Sequence, residues 1–153
     1  MELLTDRLRL VPLTDAELVS AIGAERDAHM KNALSEMLAG CEAAPRDRLW
    51  YTCWEIRSRE DGTFLGSLCF KGPPEGGAVE IGYGIEEPFW RRGYAYESAV
   101  AALDWAFSQS GVEYADAETE PDNLPSQRLL EKLGFAPTGV AGEEGPRYRR
   151  AKN

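Results

Sequence analysis

Residues 7–13, RLRLVPL, alternate polar and apolar side chains, the period-two signature of a half-buried strand. Thr14 or Asp15 then offers a helix cap, and a helix is expected to run to about His29. A second helical piece covers 31–38 and ends near Gly40. Residues 50–57 (WYTCWEIR) read as a strand, Glu60-Asp61-Gly62 as a hairpin turn, and 64–71 (FLGSLCFK) as the return strand. KGPPEGG is a loop, and 78–85 (AVEIGYGI) is a third strand. After Pro88 the period changes: Tyr96, Val100, Leu103 and Phe107 share one helical face, in a helix that starts near Gly93 and ends before Gly111. Residues 112–119 form a strand, with Ala115, Ala117 and Thr119 on one side and Asp116 and Glu118 on the other. Pro125 suits a first helical turn, Leu129, Leu130 and Leu133 continue a short helix, and Gly134 stops it. Residues 135–140 and the tail GPRYRRAKN supply the last strands. The order predicts an α+β fold, an antiparallel half joined to a βαβαβ half, in a single domain over 1–153.

Composition narrows the chemistry. The 153 residues carry 17 Lys and Arg against 26 Asp and Glu, a formal net charge of −9. That balance argues against general nucleic-acid binding, which needs a basic footprint, and against an anionic membrane surface. No apolar stretch spans a bilayer, and MELLTDRLRLVPLTD lacks the pattern of a signal peptide, so the cytoplasm is the expected compartment. Cys41, Cys53 and Cys69 are odd in number and form no CxxC, so neither a disulfide framework nor a structural zinc site is expected, and no metal. The single histidine, His29, sits in the polar stretch ERDAHMKN. Carboxylates, hydroxyls and backbone amides are left to carry any reaction.

Two stretches hold the candidate chemistry. In EIGYGIEEPFWRRGYAYES a strand passes through a short loop into a helix, with Arg91, Arg92, Gly93, Tyr94 and Ala95 at the junction. A helix start leaves about four amides unsatisfied and carries partial positive charge. Gly93 and Ala95 let a ligand approach the backbone, and the result suits a pyrophosphate. About thirty residues on, NLPSQRLLEKLGF places a polar cap, a short helix and a Gly-Phe strand start.

The pair of motifs resembles the GNAT superfamily of acyl-CoA-dependent N-acetyltransferases, and within it the ribosomal-protein alanine N-acetyltransferase-like subgroup. TDRLRLVPLT is similar to that subgroup's opening strand. The resemblance implies a mixed, mostly antiparallel sheet of about six or seven strands flanked by helices. Strands 78–85 and 112–119 would splay to admit acetyl-CoA. Amides of Arg91, Arg92, Gly93, Tyr94, Ala95 and Tyr96 would hold the pyrophosphate, and backbone groups near Tyr83, Gly84 and Ile85 the pantetheine arm. The family pattern Q/R-x-x-G-x-G/A is met at Gly93 and Ala95, while Trp90 stands where Gln or Arg is usual. A freed backbone N–H would polarise the thioester carbonyl.

The implied reaction is attack of an amine on the thioester, which requires loss of an ammonium proton. Glu80 is the first candidate base, with Glu118 and Glu120 second. The tyrosine that many members carry seven residues after the motif asparagine is replaced by Leu130, so Ser126 is the candidate donor to the thiolate. Asn123 would touch the pantetheine or brace the strand end, and Arg128 would reach toward the 3′-phosphate. The acceptor is a protein N-terminus or a small-molecule amine. The changes at 90 and 130 leave a second reading, a non-catalytic acyl-CoA-binding module. Exposed sheet edges leave room for a homodimer.

Overall fold

The computed structural model describes all 153 residues. Eight strands form one sheet, β1 (Leu3–Leu4), β2 (Leu8–Pro12), β3 (Cys53–Ser58), β4 (Phe64–Phe70), β5 (Ala78–Ile85), β6 (Tyr114–Glu118), β7 (Ala136–Ala141) and β8 (Pro146–Ala151), in the order β1-β2-β3-β4-β5-β6-β8-β7. Every neighbouring pair is antiparallel except β5 and β6. The helices are α1 (Asp15–Ala24), α2 (Ala28–Ala43), α3 (Arg48–Tyr51), α4 (Tyr94–Ser108) and α5 (Leu124–Lys132). The α+β expectation holds, with one short strand, β1, that no pattern announced and that raises the count to eight.

The two faces of the sheet are covered differently. Trp54, Ile56, Leu68, Val79, Ile81, Ala115 and Ala117 point to one face, where they pack with Ala99, Ala102, Leu103 and Ala106 of α4 and Leu130 of α5. Trp50 and Trp105 stack at 4.6 Å inside this core, with Phe70 edge-on to Trp50 at 5.1 Å. On the other face Leu13, Leu18 and Cys41 make a smaller core under α1 and α2. The alternation of 2 along the strands therefore sorts the chain into two layers of helix around one sheet.

Several boundaries depart from the sequence reading for local reasons. Thr14 caps α1 in a reciprocal box with Glu17, but the helix ends at Ala24 and not at His29. Asp27 accepts from the His29 amide and starts α2 there, so His29 belongs to the second helix. That helix runs through Gly40 to Ala43. Gly40 is no stop: a Cβ there would run into the Tyr51 ring, so the glycine permits close packing of that ring. Trp50 and Tyr51 lie in α3, ahead of the strand they were expected to open.

Candidate active site

The sheet opens at its one parallel pair. β5 and β6 are in register at Ala78 with Tyr114, Val79 with Ala115 and Glu80 with Asp116, and there the pairing ends. β5 continues to Ile85 without β6, as the expected splay of 78–85 from 112–119 requires. The Lys71 amide donates to the Glu80 carbonyl and the Glu86 amide to the Leu65 carbonyl, so the even-numbered residues of β5 turn their backbone toward β4. Ile81, Tyr83 and Ile85 therefore turn theirs into the gap. Gly84 pairs with Ser67 and faces β4, so of Tyr83, Gly84 and Ile85 only the outer two present backbone groups to the opening.

Trp90 explains its own departure from the family pattern. Its indole N–H donates to the Ile85 carbonyl at 2.6 Å and braces the free end of β5. Beyond it, Arg91 adopts φ 64°, the only non-glycine residue with positive φ, and Gly93 follows at φ 81° as the N-cap of α4. No side chain caps the helix, and its first backbone bond runs from Glu97 N to Gly93 O. The amides from Arg91 to Tyr96 thus have no partner within the chain, at the positive end of a 15-residue helix. Arg91 and Arg92 are exposed beside them.

Arg7 is a residue that sequence reasoning missed. It ion-pairs with Glu97 at 2.8 Å, stacks over the Tyr94 ring at 4.5 Å, and brings its guanidinium to within 3.3 Å of where a Gly93 Cβ would stand. Burial opposes the charge of Glu97, but bonds from Thr5 and Arg7 outweigh it and hold the carboxyl below its ordinary range. Nothing local in RLRL announces this docking across some ninety residues of chain.

The face of the gap under α1 and α2 is charged. Glu80 is held by Lys71 at 2.8 Å and Arg147 at 3.0 Å. Arg147 also reaches Glu118 at 3.1 Å, and Arg149 makes two bonds to Asp116, at 2.7 and 3.1 Å. Burial works against the Glu80 carboxylate, yet the two cations prevail and keep its pKa below the usual value. Glu118 lies under the β7–β8 turn, so closely that a Cβ at Gly142 would collide with its carboxylate. Glu120 is exposed. Gly82 and Gly84 leave this face open beside Glu80: nothing lies within 4 Å of a Cβ on Gly84.

On the other face α5 begins at Asn123, whose Oδ1 accepts from the Ser126 amide at 3.2 Å. That bond occupies Asn123 as a helix cap. Ser126 is half-buried, Arg128 is exposed, and Leu130 is 1% exposed within the core. The hydroxyl of Thr119 is buried without a hydrogen-bond partner, and the phenol of Tyr83 is buried with the Ser126 hydroxyl beside it. Thr119 was seen in the sequence only as one position of an alternating strand.

A strand gap ending on an uncapped helix start is the architecture of an acyl-transfer domain, and the comparisons agree. The family model described as Acetyltransferase (GNAT) domain matches residues 7–136. A Bacillus subtilis (strain 168) protein named Uncharacterized N-acetyltransferase YjdG is 33% identical over 151 residues, covering 86% of this chain and 87% of its own length. The acetyltransferase from Agrobacterium tumefaciens str. C58 superposes with a TM-score of 0.76 at 24% identity, over 99% of this chain and 95% of that one. The RimL ribosomal L7/L12 alpha-N-protein acetyltransferase, solved in complex with coenzyme A, shares the fold with a TM-score of 0.75 at 15% identity, over 99% and 98% of the two chains. The chain belongs to the GNAT acetyltransferase family. It is an acetyltransferase, which replaces the non-catalytic alternative. No helix is long and apolar enough to cross a membrane.

Proposed function

We propose that the chain transfers the acetyl group of acetyl-CoA to a primary amine by direct attack on the thioester, and that the preferred acceptor is an α-amine such as a protein N-terminus. The run of partnerless amides from Arg91 to Tyr96, at the mouth of the β5–β6 gap, carries the coenzyme half of this reading. They and the Arg91 and Arg92 charges suit a pyrophosphate. The backbone of Tyr83 and the N–H of Ile85, turned into the gap, suit the pantetheine arm. A free N–H of β5 polarises the carbonyl under attack, and Ser126 returns a proton to the departing sulfur. Acetyl-CoA supplies the activated acetyl group.

The acceptor half rests on what Glu80 cannot do. Lys71 and Arg147 hold the Glu80 carboxyl below its ordinary range, which makes it a poor acceptor for the proton of an alkylammonium of pKa about 10, neutral in only about one molecule in a thousand at pH 7. An α-amine of pKa about 8 is already neutral in roughly a tenth of molecules at pH 7 and needs no strong base. Glu80 then attracts and orients the incoming amine on the charged face, and water takes the proton. The RimL neighbour is named for an α-N-protein acceptor, which fits the same logic.

The test is isothermal titration of acetyl-CoA without acceptor, followed by acetylation of peptides with free or blocked N-termini. A Kd in the micromolar range, about −8 kcal/mol at 1 μM, and acetylation of the free N-terminus alone are expected. The kcat/KM for that acceptor rises with pH to a plateau above about 8. Absence of coenzyme binding at hundreds of micromolar (about −5 kcal/mol or weaker) sinks the reading. Faster transfer to alkylamines than to α-amines at pH 7 sinks its acceptor half.

A further inference from the structure

Sheet register brings two of the three cysteines together. Cys53 on β3 lies directly opposite Cys69 on β4. The Cys53 carbonyl accepts from the Leu13 amide at 2.9 Å, so its backbone turns toward β2 and away from β4. Beyond the end of β4 the Lys71 amide donates to the Glu80 carbonyl, and Cys69, two residues earlier and paired with Gly82, turns its backbone toward β5 in the same way. The two cysteines therefore form a non-hydrogen-bonded antiparallel pair. In such a pair the Cα atoms approach to about 4.5 Å and both side chains stand on one face. A disulfide needs Cα atoms about 4.4–6.8 Å apart, so the backbone already stands at bridging distance. Trp54, Ile56 and Leu68 fill the opposite face, which puts both thiols on the side of α1 and α2. Both are free and partly exposed. Cys69 borders the open floor at Gly82, where its Sγ lies 3.7 Å from the position of a Cβ. Cys41, the third cysteine, is 1% exposed, and its thiol donates to the Arg48 carbonyl at 3.7 Å.

We propose that Cys53 and Cys69 are a redox-active dithiol, which a small-molecule disulfide such as oxidised glutathione closes to a bridge between β3 and β4 in the folded protein. The Cys69 sulfur, on the open side, attacks one sulfur of the reagent as a thiolate. The reagent's S–S bond breaks, and its first thiol leaves with the proton that Cys69 gave up. The Cys53 sulfur then attacks the Cys69 sulfur of the mixed disulfide, and the second small thiol leaves with the Cys53 proton. Two protein thiols are oxidised to one disulfide, and one small disulfide is reduced to two thiols. Burial pushes the Cys53 thiol up to about 12, with Cys69 adding to it, and raises Cys69 against the pull of Lys71. Thiolates are scarce at neutral pH, so capture of the reagent is the slow step. Closure joins sulfurs already opposite each other, so the mixed disulfide does not accumulate. The bridge would abut the acceptor face, since Lys71, which holds Glu80, follows two residues after Cys69. Neither thiol lines the β5–β6 gap, so the inference stands apart from the coenzyme reading. In a reducing compartment the pair stays open and closes under oxidative exposure.

The experiment incubates the reduced, folded full chain for a day with excess oxidised glutathione, then blocks remaining thiols with iodoacetamide in denaturant. Mass spectrometry reads the intact chain and its proteolytic peptides. The expected product has lost two hydrogens, carries one alkylated thiol, at Cys41, and yields a peptide pair joined through Cys53 and Cys69. Its melting temperature should rise by a few degrees, because the bridge closes residues 54–68 into a loop and restricts the unfolded chain. Dithiothreitol should reverse both changes. Cys53→Ser and Cys69→Ser, given the same treatment, should lose no hydrogens. Three alkylated thiols in the treated wild type overturn the proposal. A bridge that includes Cys41, or stable glutathione adducts on both Cys53 and Cys69, overturns it as well. So does loss of two hydrogens in either serine variant, since the bridge would then lie elsewhere.

Discussion

Arg91 and Glu80 show how single residues are held away from their resting preferences. Arg91 sits in the left-handed region at φ 64°, where an L side chain is strained by about 1–2 kcal/mol. Arg91→Gly should relieve that strain and offset the extra entropy of a glycine, leaving stability equal or higher by up to about 1 kcal/mol. The same change removes a charge beside the free amides and should weaken acetyl-CoA by about 3- to 10-fold. Chemical denaturation and titration on one preparation separate the two effects. Glu80 is pinned by Lys71 and Arg147, and Glu80→Gln leaves both cations short of a partner. A loss of about 1–3 kcal/mol at pH 7 is expected. Because the folded pKa is depressed, this stability is present above the unfolded value and disappears as pH falls through the folded one, so the two proteins should converge below about pH 4. A constant difference down to pH 3 would show that the charge is not the source.

Elements are placed by contacts their own sequences do not reveal. Gly40 reads as a helix stop, yet it lies inside α2 because Tyr51 of α3 packs against its backbone. Gly40→Ala gains about 1 kcal/mol of helix propensity and drives a Cβ into the Tyr51 ring, an overlap that costs about 1–3 kcal/mol. A net loss of up to about 2 kcal/mol is expected, and a smaller loss when the same change is made in a Tyr51→Ala background; a stabilised single variant would refute the packing argument. α4 was placed correctly from its apolar period, and its uncapped start could be read from Gly93. The bracing of β5 by Trp90 could not, because a tryptophan in that slot looks like a loss until its N–H is seen on the Ile85 carbonyl.

At the scale of the whole molecule, charge and pH are coupled to folding. Glu2, Glu17, Asp61, Glu80 and Glu97 are all held below their ordinary pKa, Glu17 by the Thr14 amide and hydroxyl, Asp61 by Thr63, Glu2 by Arg9. Each depressed carboxyl contributes stability above its unfolded pKa that is lost as pH falls through its folded pKa. Melting temperature should therefore hold from pH 8 to about 5 and fall below about 4.5, with proton uptake on unfolding in the acid range. Proton release there would contradict these assignments. Net charge of −9 adds repulsion at neutral pH and opposes an approaching phosphate, so the attraction must come locally from Arg91 and Arg92 beside the start of α4.

The sequence by itself determined the order of the seven longer strands and of α1, α2, α4 and α5, the two motifs, and the helix start at Gly93. These follow from periodicity, capping and turn chemistry, all of which act within a few residues. Tertiary structure decided which carboxylates were already spent in ion pairs, why Gly40 is a glycine, and that Arg7 serves the start of α4. Those facts depend on sheet register and on packing between segments far apart in the chain. Local propensity carries no information about them, because the partner residue is supplied by another strand.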